Sequence, residues 1–155
     1  MPVPEFIRRL RAHVGTAELW LPGITAVVLR GEDLLLVLRA DDGEWAPVGG
    51  IVEPGEEPAA AAVREAMEET GVRIRVDRLA GVDATPPILH PNGDVATYLN
   101  HTFLCTWLEG EPYVADDECT DVGWFPRDAL PPLSPSVQAR VDDALCGEVA
   151  ARFRL

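Results

Sequence analysis

The alternation of apolar and polar positions predicts strands rich in Val, Leu and Ile, interrupted by three helices. Clusters of glycine, proline and aspartate separate these segments and predict turns. Strands are predicted over residues 23–29, 34–39, 72–84, 96–108 and 121–125, with a short extended piece over 45–48. Helices are predicted over residues 4–13, over 58–70 and from Pro135 onward. Strands mixed with three helices predict an α/β (α+β) sandwich around one mixed β-sheet.

The first and last helices each carry a stripe of apolar residues. In the first helix, Phe6, Ile7 and Leu10 are predicted to face the core. Ser134 followed by Pro135 is typical of the start of a helix. The core-facing stripe predicted for the last helix consists of Val137, Val141, Leu145 and Val149.

The middle helix is the clearest of the three. Pro58 stands at the favoured first position, and Gly71 lies just past the end. At about 100° per residue, three carboxylates share one face of this helix. They are Glu65, Glu68 and Glu69, and the opposite side carries Ala59, Val63, Ala66 and Met67. We therefore predict that the apolar side packs on the core and that the acidic face points away from it.

This acidic face is electrostatically unfavourable by itself. Like charges three or four residues apart each cost about 0.2–0.5 kcal/mol. Glu68 and Glu69 also lie in the last turn, where the helix dipole favours cations, and Arg64 compensates only in part. A solvated acidic surface is one interpretation. The other is a site for hard divalent cations, of which Mg²⁺ or Mn²⁺ suits oxygen ligands.

Length and composition narrow the class of protein. A chain of 155 residues is predicted to form one domain over 1–155. No apolar run approaches the roughly 20 residues that span a bilayer, and the first residues lack a secretory pattern, so a cytoplasmic protein without membrane contact is expected. The net charge of −13 makes a nucleic-acid polymer an unfavourable partner. Three widely spaced cysteines predict free thiols in or near the core.

One segment resembles the complete signature of a known family. From Gly50, five residues lead to Glu56, and seven more lead to the run Arg64-Glu65-Ala66-Met67-Glu68-Glu69-Thr70-Gly71-Val72. This pattern resembles the Nudix box, and seven positions that are fixed in residue type all match. Chance agreement at one starting point is about 10⁻⁸ at ordinary residue frequencies. The resemblance implies a Nudix-type α/β/α sandwich.

The resemblance also implies roles for residues of the box. Glu65, Glu68 and Glu69 would be metal-coordinating carboxylates, and the backbone carbonyl of Gly50 would be a further ligand. Arg64 and Glu56 would form a structural ion pair that orients the loop and the helix. Gly71 is the glycine that closes the box. Ala66 is smaller than the usual aliphatic residue, and Pro47 lies one place earlier than in similar lead-in sequences.

Residues outside the box carry weaker signals. In similar enzymes a loop acid ahead of the final strand is often the general base, and Glu118 aligns best with it, although a plain solvated loop is equally consistent. Glu68 or Glu69 is an alternative base. Arg39 is placed to reach a phosphate, and an ordinary exposed arginine at the end of a strand is an equal alternative. Trp45 and Tyr98 are candidates to stack on a nucleobase, with buried packing as the alternative.

The resemblance implies a Mg²⁺-dependent pyrophosphohydrolase. Its substrate would be a small nucleotide, either a nucleoside diphosphate linked to another group, as in ADP-ribose, or a (d)NTP. A non-catalytic nucleotide-binding or sensor module on the same fold is the alternative, and the intact set of acids argues against it. Nothing indicates the cysteine and glutamate pattern of a prenyl-diphosphate isomerase. Similar proteins are frequently dimers, so a homodimer is a further expectation.

Overall fold

A computed structural model describes residues 3–155 of the chain. The helices are α1 (Glu5–Val14), α2 (Pro58–Thr70) and α3 (Pro135–Leu145). The strands are β1 (Leu19–Arg30), β2 (Asp33–Arg39), β3 (Trp45–Ala46), β4 (Val48–Ile51), β5 (Arg73–Ala84), β6 (Ile88–Leu89), β7 (Val95–Glu109), β8 (Cys119–Pro126) and β9 (Arg152–Phe153). None of the helices within 3–155 combines the length and apolar character needed to cross a membrane.

The strands join into one mixed sheet. Its central path runs β3-β2-β1-β7-β5-β9, with β4 paired to β1, β6 to β7 and β8 to β2. Strands β1 and β7 are parallel, whereas β5 and β7 are antiparallel. The mixed sheet predicted from the sequence is therefore confirmed.

Two apolar clusters lie on opposite faces of this sheet. Ala26 and Val28 of β1 belong to the cluster that includes the alanines of α2, whereas Val27 belongs to the cluster that includes Val141 and Ala144 of α3. Successive residues of a strand point to opposite faces. Helices α2 and α3 therefore cover the two faces of the sheet, which gives the α/β/α sandwich.

Strands β1 and β2 separate soon after the turn that joins them. Their ladder consists of the pairs Leu29↔Leu34 and Arg30↔Asp33. Nearer its start, β1 pairs instead with β4, and β2 pairs with β8 and β3. The strands predicted over 23–29 and 34–39 therefore pair with each other only over a short ladder, and a gap opens in the sheet where they separate.

The middle helix has the predicted bounds, and Gly71 caps it in the left-handed conformation with φ 71°. Three other expectations were wrong at one residue each. Leu10 is 41% exposed, and Ile7 is the residue of α1 that is buried. Helix α3 ends at Leu145, because Gly147 then turns the chain with φ 78°, and Val149 is 87% exposed. Of the three free thiols, those of Cys105 and Cys119 are buried and that of Cys146 is exposed.

Candidate active site

A cleft of about 940 Å³ opens where β1 and β2 separate. Residues of both strands line it, among them Thr25 on β1 and Val37 on β2. It also receives most of the side chains proposed from the sequence. They are Arg39, Trp45, Gly50, Glu65, Glu69, Tyr98 and Glu118. The fold thus gathers these residues from five strands, one helix and one loop.

Helix α2 does not pack as the helical wheel predicts. Glu65 and Glu69 are 1% and 4% exposed, whereas Val63 and Met67 are each 41% exposed. The helix packs through Ala61, Ala62 and Ala66, whose small side chains let it lie close to the sheet, and the two glutamates share that inner side. The acidic face is therefore partly buried in the cleft, and the prediction that it points away from the core is wrong.

Glu65 lies directly against the backbone of Gly50. A Cβ atom on Gly50 would overlap the Glu65 carboxylate, so only glycine leaves this space open. The Glu65 Oε2 atom is buried and makes no hydrogen bond within the described residues. Since buried polar atoms are normally satisfied, this oxygen fits an additional electropositive partner.

Burial also makes both glutamates unusual acids. Desolvation is the main cause that raises the pKa of Glu65 to about 7 and that of Glu69 to about 9. Repulsion from Glu118 raises both pKa values further. Burial raises the pKa of Glu118 as well. A cation in the cleft would relieve this repulsion, so the donor set fits a hard divalent ion.

Arg64 ties the loop before α2 to the helix. Its guanidinium donates two hydrogen bonds to Glu56, at 2.8 and 2.9 Å, and one to the carbonyl of Ile51 at 3.1 Å. The same group donates to Glu65 at 2.7 Å and to Glu68 at 3.1 Å. The hydrogen bonds from Arg64 are the main cause that lowers the pKa of Glu56. The ion pair expected between Arg64 and Glu56 is thus present.

Glu68 stands apart from the other two acids of the helix. Its side chain is 40% exposed and bonds to Arg64, and it is not among the residues that line the cleft. Within residues 3–155, no three His, Cys, Asp or Glu side chains are already arranged as a metal-binding group. Coordination by all three glutamates would require Glu68 to turn away from Arg64, whereas Glu65 already has an oxygen without a hydrogen bond.

The loop that carries Glu118 is fastened to the end of α2. Backbone amides of Tyr113 and Ala115 donate to the carbonyls of Thr70 and Glu69, each at 3.1 Å. On the other side, the amide of Ala40 donates to the carbonyl of Glu118 at 2.8 Å. These bonds bring the loop acid close to Glu69, which the sequence separation of the two residues does not indicate.

The other predicted contacts occupy the rim and walls of the cleft. Arg39 donates two hydrogen bonds to Asp41, at 3.0 and 2.5 Å, so it is an ion-paired arginine. Trp45 packs edge to face on Phe125, with ring centroids 4.8 Å apart. The hydroxyl of Tyr98 lies 3.1 Å from His90 Nε2. The two aromatic side chains therefore both pack against neighbours and face the cleft.

Sequence reasoning missed one wall of the cleft entirely. Asp83, Asn100 and Arg140 line it, and they come from β5, β7 and α3. None belongs to a motif, and each has a common residue type in an ordinary element. Strand register brings Asp83 beside Asn100, and the packing of α3 on the sheet brings Arg140 to Asp83.

The substitution Gly71→Ala is expected to destabilise the fold by about 1–3 kcal/mol. An alanine there would adopt a strained left-handed conformation, and its Cβ would collide with the ring of Tyr113. Urea denaturation measures the loss. Gly43→Ala is the matched control, because Gly43 has the same φ of 71° with nothing within 4 Å of the added atom. Equal losses for the two variants would contradict a structural role for the Tyr113 contact.

The stability of the cation-free protein is expected to fall as pH rises. The folded-state pKa values of Glu65 and Glu69, about 7 and about 9, exceed the value of about 4.3 for an unfolded glutamate. The folded state therefore binds more protons than the unfolded state. The stabilisation from these two groups is fully present below about pH 4 and is lost as the pH rises through the two folded-state pKa values. Mg²⁺ or Mn²⁺ should restore it, by about 2.7 kcal/mol at a hundredfold excess over Kd.

Thermal unfolding at several pH values, with chelator or with added cation, checks this expectation. The double variant Glu65→Gln/Glu69→Gln is the control, and it should lose both the pH dependence and the stabilisation by cations. A cation effect of unchanged size in this variant would place the binding site elsewhere.

Residues 20–145 match the family model of the NUDIX domain. The match covers most of the chain and includes the box from Gly50 to Val72, helices α2 and α3, and nearly all of the residues that line the cleft. The chain therefore belongs to the Nudix family, as the spacing of the box predicts. Enzymes of this family generally use a divalent metal ion.

Individual relatives agree with this assignment. The chain is 33% identical over 114 residues to a protein of Pseudomonas aeruginosa named NAD-capped RNA hydrolase NudC. The aligned region covers 72% of this chain and 38% of that relative. A Bacillus subtilis protein whose name proposes an ADP-ribose pyrophosphatase is 32% identical over 112 residues, covering 72% of this chain and 53% of the relative. The chain thus spans about half or less of the length of these relatives.

A solved structure extends the likeness to three dimensions. The crystal structure of a MutT NUDIX hydrolase from Burkholderia pseudomallei superposes with a TM-score of 0.67 at 28% identity. It covers 81% of this chain and 98% of that protein. The α/β/α sandwich is therefore the Nudix fold.

Proposed function

We propose that this chain hydrolyses the phosphoanhydride bond of a nucleoside diphosphate linked to another group, with ADP-ribose-like compounds and (d)NTPs as the substrate classes. The observation that carries the proposal is the pair of buried carboxylates, Glu65 and Glu69, in a cleft large enough for a nucleotide. Burying two acids together is costly, so their retention favours a role in binding cations and phosphate.

In this proposal Glu65, Glu69 and the carbonyl of Gly50 hold a divalent cation, and Glu68 joins them by turning from Arg64. Mg²⁺ is the proposed ion, and Mn²⁺ would also suit a donor set made only of oxygen atoms. A bound cation neutralises the phosphate oxygens and lowers the pKa of an attacking water. The orphaned Oε2 atom of Glu65 supports this assignment.

Proton transfer and substrate binding are proposed for residues near Glu65 and Glu69. Glu118 is proposed as the base that takes the proton from the attacking water, with Glu69 or Glu68 as the alternative. The raised pKa of Glu118 supports a proton-accepting role. Arg39 is proposed to contact a phosphate, and Trp45 and Tyr98 to contact the organic part of the substrate.

A substrate panel tests the proposal. The protein would be incubated with ADP-ribose, NADH, diadenosine polyphosphates and (d)NTPs, each with Mg²⁺ or Mn²⁺, and the phosphorylated products would be separated. We expect a nucleoside monophosphate and a second phosphorylated fragment from at least one of them. Binding without turnover on every member would instead favour the non-catalytic module.

We further propose that residues 1–155 act as one domain, located in the cytoplasm, and that the protein forms a homodimer, which size measurement in solution checks. The name of the Pseudomonas relative makes RNA with an NAD cap a reasonable addition to the panel. The net charge of −13 favours a small nucleotide over such a polymer.

A further inference from the structure

A row of directly paired residues crosses the sheet beneath the cleft. Gly23 of β1 is paired with Asn100 of β7, and Asn100 is paired with Asp83 of β5. Residues directly opposite one another place their side chains on the same face of a sheet. All three line the cleft, so they form a continuous strip of its surface.

Hydrogen bonds hold the middle of this strip in place. The hydroxyl of Thr25 donates to Asn100 Oδ1 at 3.1 Å. The Nδ2 atom of Asn100 donates to Thr102 Oγ1 at 3.1 Å and to Asp83 Oδ1 at 3.5 Å. Asn100 is only 4% exposed, so it orients Asp83 more than it faces a ligand.

Arg140 of α3 completes the strip. Its Nε and Nη2 atoms donate to Asp83 at 3.1 and 2.7 Å. A guanidinium carries five N–H donors, and the hydrogen bonds to Asp83 engage two of its three nitrogen atoms. A carboxylate has about four acceptor positions, and this pairing leaves some of them available. The Asp83–Arg140 pair thus presents both acceptors and donors.

The Asp83–Arg140 pair differs from the acidic end of the cleft in charge and position. Asp83 and Arg140 neutralise each other, whereas Glu65, Glu69 and Glu118 are all acids. From Gly50 on β4 to Asp83 on β5 is three strand spacings, or about 14 Å. A neutral surface rich in donors and acceptors, at this distance from the phosphate end, suits an uncharged polar group.

We propose that Asp83 and Arg140, oriented by Asn100, recognise the nucleoside part of the substrate by hydrogen bonds. Tyr98, two residues from Asn100 on the same face of β7, supplies an aromatic surface beside them. This inference rests on the proposed function, since it assumes that the phosphates lie at the acidic end. It assigns the orientation of the substrate in the cleft.

Calorimetric binding of nucleoside monophosphates tests the recognition site without turnover. AMP, GMP, CMP and UMP would be titrated with Mg²⁺ present, and inorganic pyrophosphate with Mg²⁺ would report on the acidic end. Arg140→Lys keeps a positive charge beside Asp83 but loses the planar fork of donors. We expect at least one monophosphate to bind the native protein and to bind this variant about tenfold more weakly, with pyrophosphate affinity changed less than twofold.

A second variant, Gly23→Ala, leaves the ion pair between Asp83 and Arg140 unchanged. In Gly23→Ala the added methyl would lie 3.5 Å from Gly50 O and 3.6 Å from Asn100 Oδ1, which is ordinary contact, so the fold should be retained. It would stand on the strip and should weaken monophosphate binding about tenfold. Gly123→Ala is the matched control, with its methyl 3.5 Å from Phe125 outside the cleft. This control should bind like the native protein.

The outcomes separate this inference from the proposed function. Failure of the native protein to bind any monophosphate, or equal weakening of monophosphate and pyrophosphate binding in Arg140→Lys, would overturn the recognition site. Unchanged monophosphate binding in both Arg140→Lys and Gly23→Ala would also overturn it. Selective loss of monophosphate binding, with no turnover on any member of the substrate panel, would support the site and reject hydrolysis.

Discussion

Glu69→Gln is expected to lower Mg²⁺-dependent turnover by at least about 10²–10³-fold while leaving the fold intact. Glutamine has the shape of glutamate but supplies no negative oxygen to a cation. Burial raises the pKa of Glu69 to about 9, so a neutral amide at this position avoids a cost that the ionised acid imposes. The thermal midpoint of the cation-free variant should therefore equal or exceed that of the native protein.

Product release on the best substrate and thermal unfolding measure the two parts of this prediction. Glu109→Gln is the control, because Glu109 is an exposed carboxylate paired with Arg73. It should keep native turnover. Native turnover in Glu69→Gln would reject the proposed cation site, and a large loss of stability would mean that Glu69 contributes mainly to the fold.

Arg64→Ala is expected to cost about 3 kcal/mol in the free energy of unfolding. The substitution removes five hydrogen bonds and leaves Glu56, Glu65 and Glu68 without their common partner. Only 24% of the Arg64 side chain is exposed, so water replaces these bonds incompletely. Turnover should fall as well, because strand β4, which carries Gly50, and the loop after it lose their link to α2.

Denaturant unfolding measures this loss, and Arg75→Ala is its control. Arg75 also pairs with a carboxylate, Asp77 at 2.7 Å, but 62% of its side chain is exposed. Such a surface pair contributes about 0–1 kcal/mol. A similar loss in the two variants would show that the arrangement around Arg64 adds nothing beyond an ordinary ion pair.

Local chemistry in the sequence was enough to predict the middle helix and the family. Pro58 and Gly71 act through the backbone of their own positions, so the bounds of α2 follow from the sequence without tertiary contacts. The family also followed, because the spacing of the box is itself a sequence property. The same local reasoning failed at the end of α3, where Gly147 outweighed a helical spacing of valines.

The sequence by itself determined which residues share a face of α2, but only the tertiary structure decided which face is buried. A wheel gives angles about the helix axis, whereas the close approach through Ala61, Ala62 and Ala66 places Glu65 and Glu69 on the inner side. The tertiary structure likewise determines that Gly23, Asn100 and Asp83 lie side by side. These residues lie far apart along the chain, and strand register sets their contact.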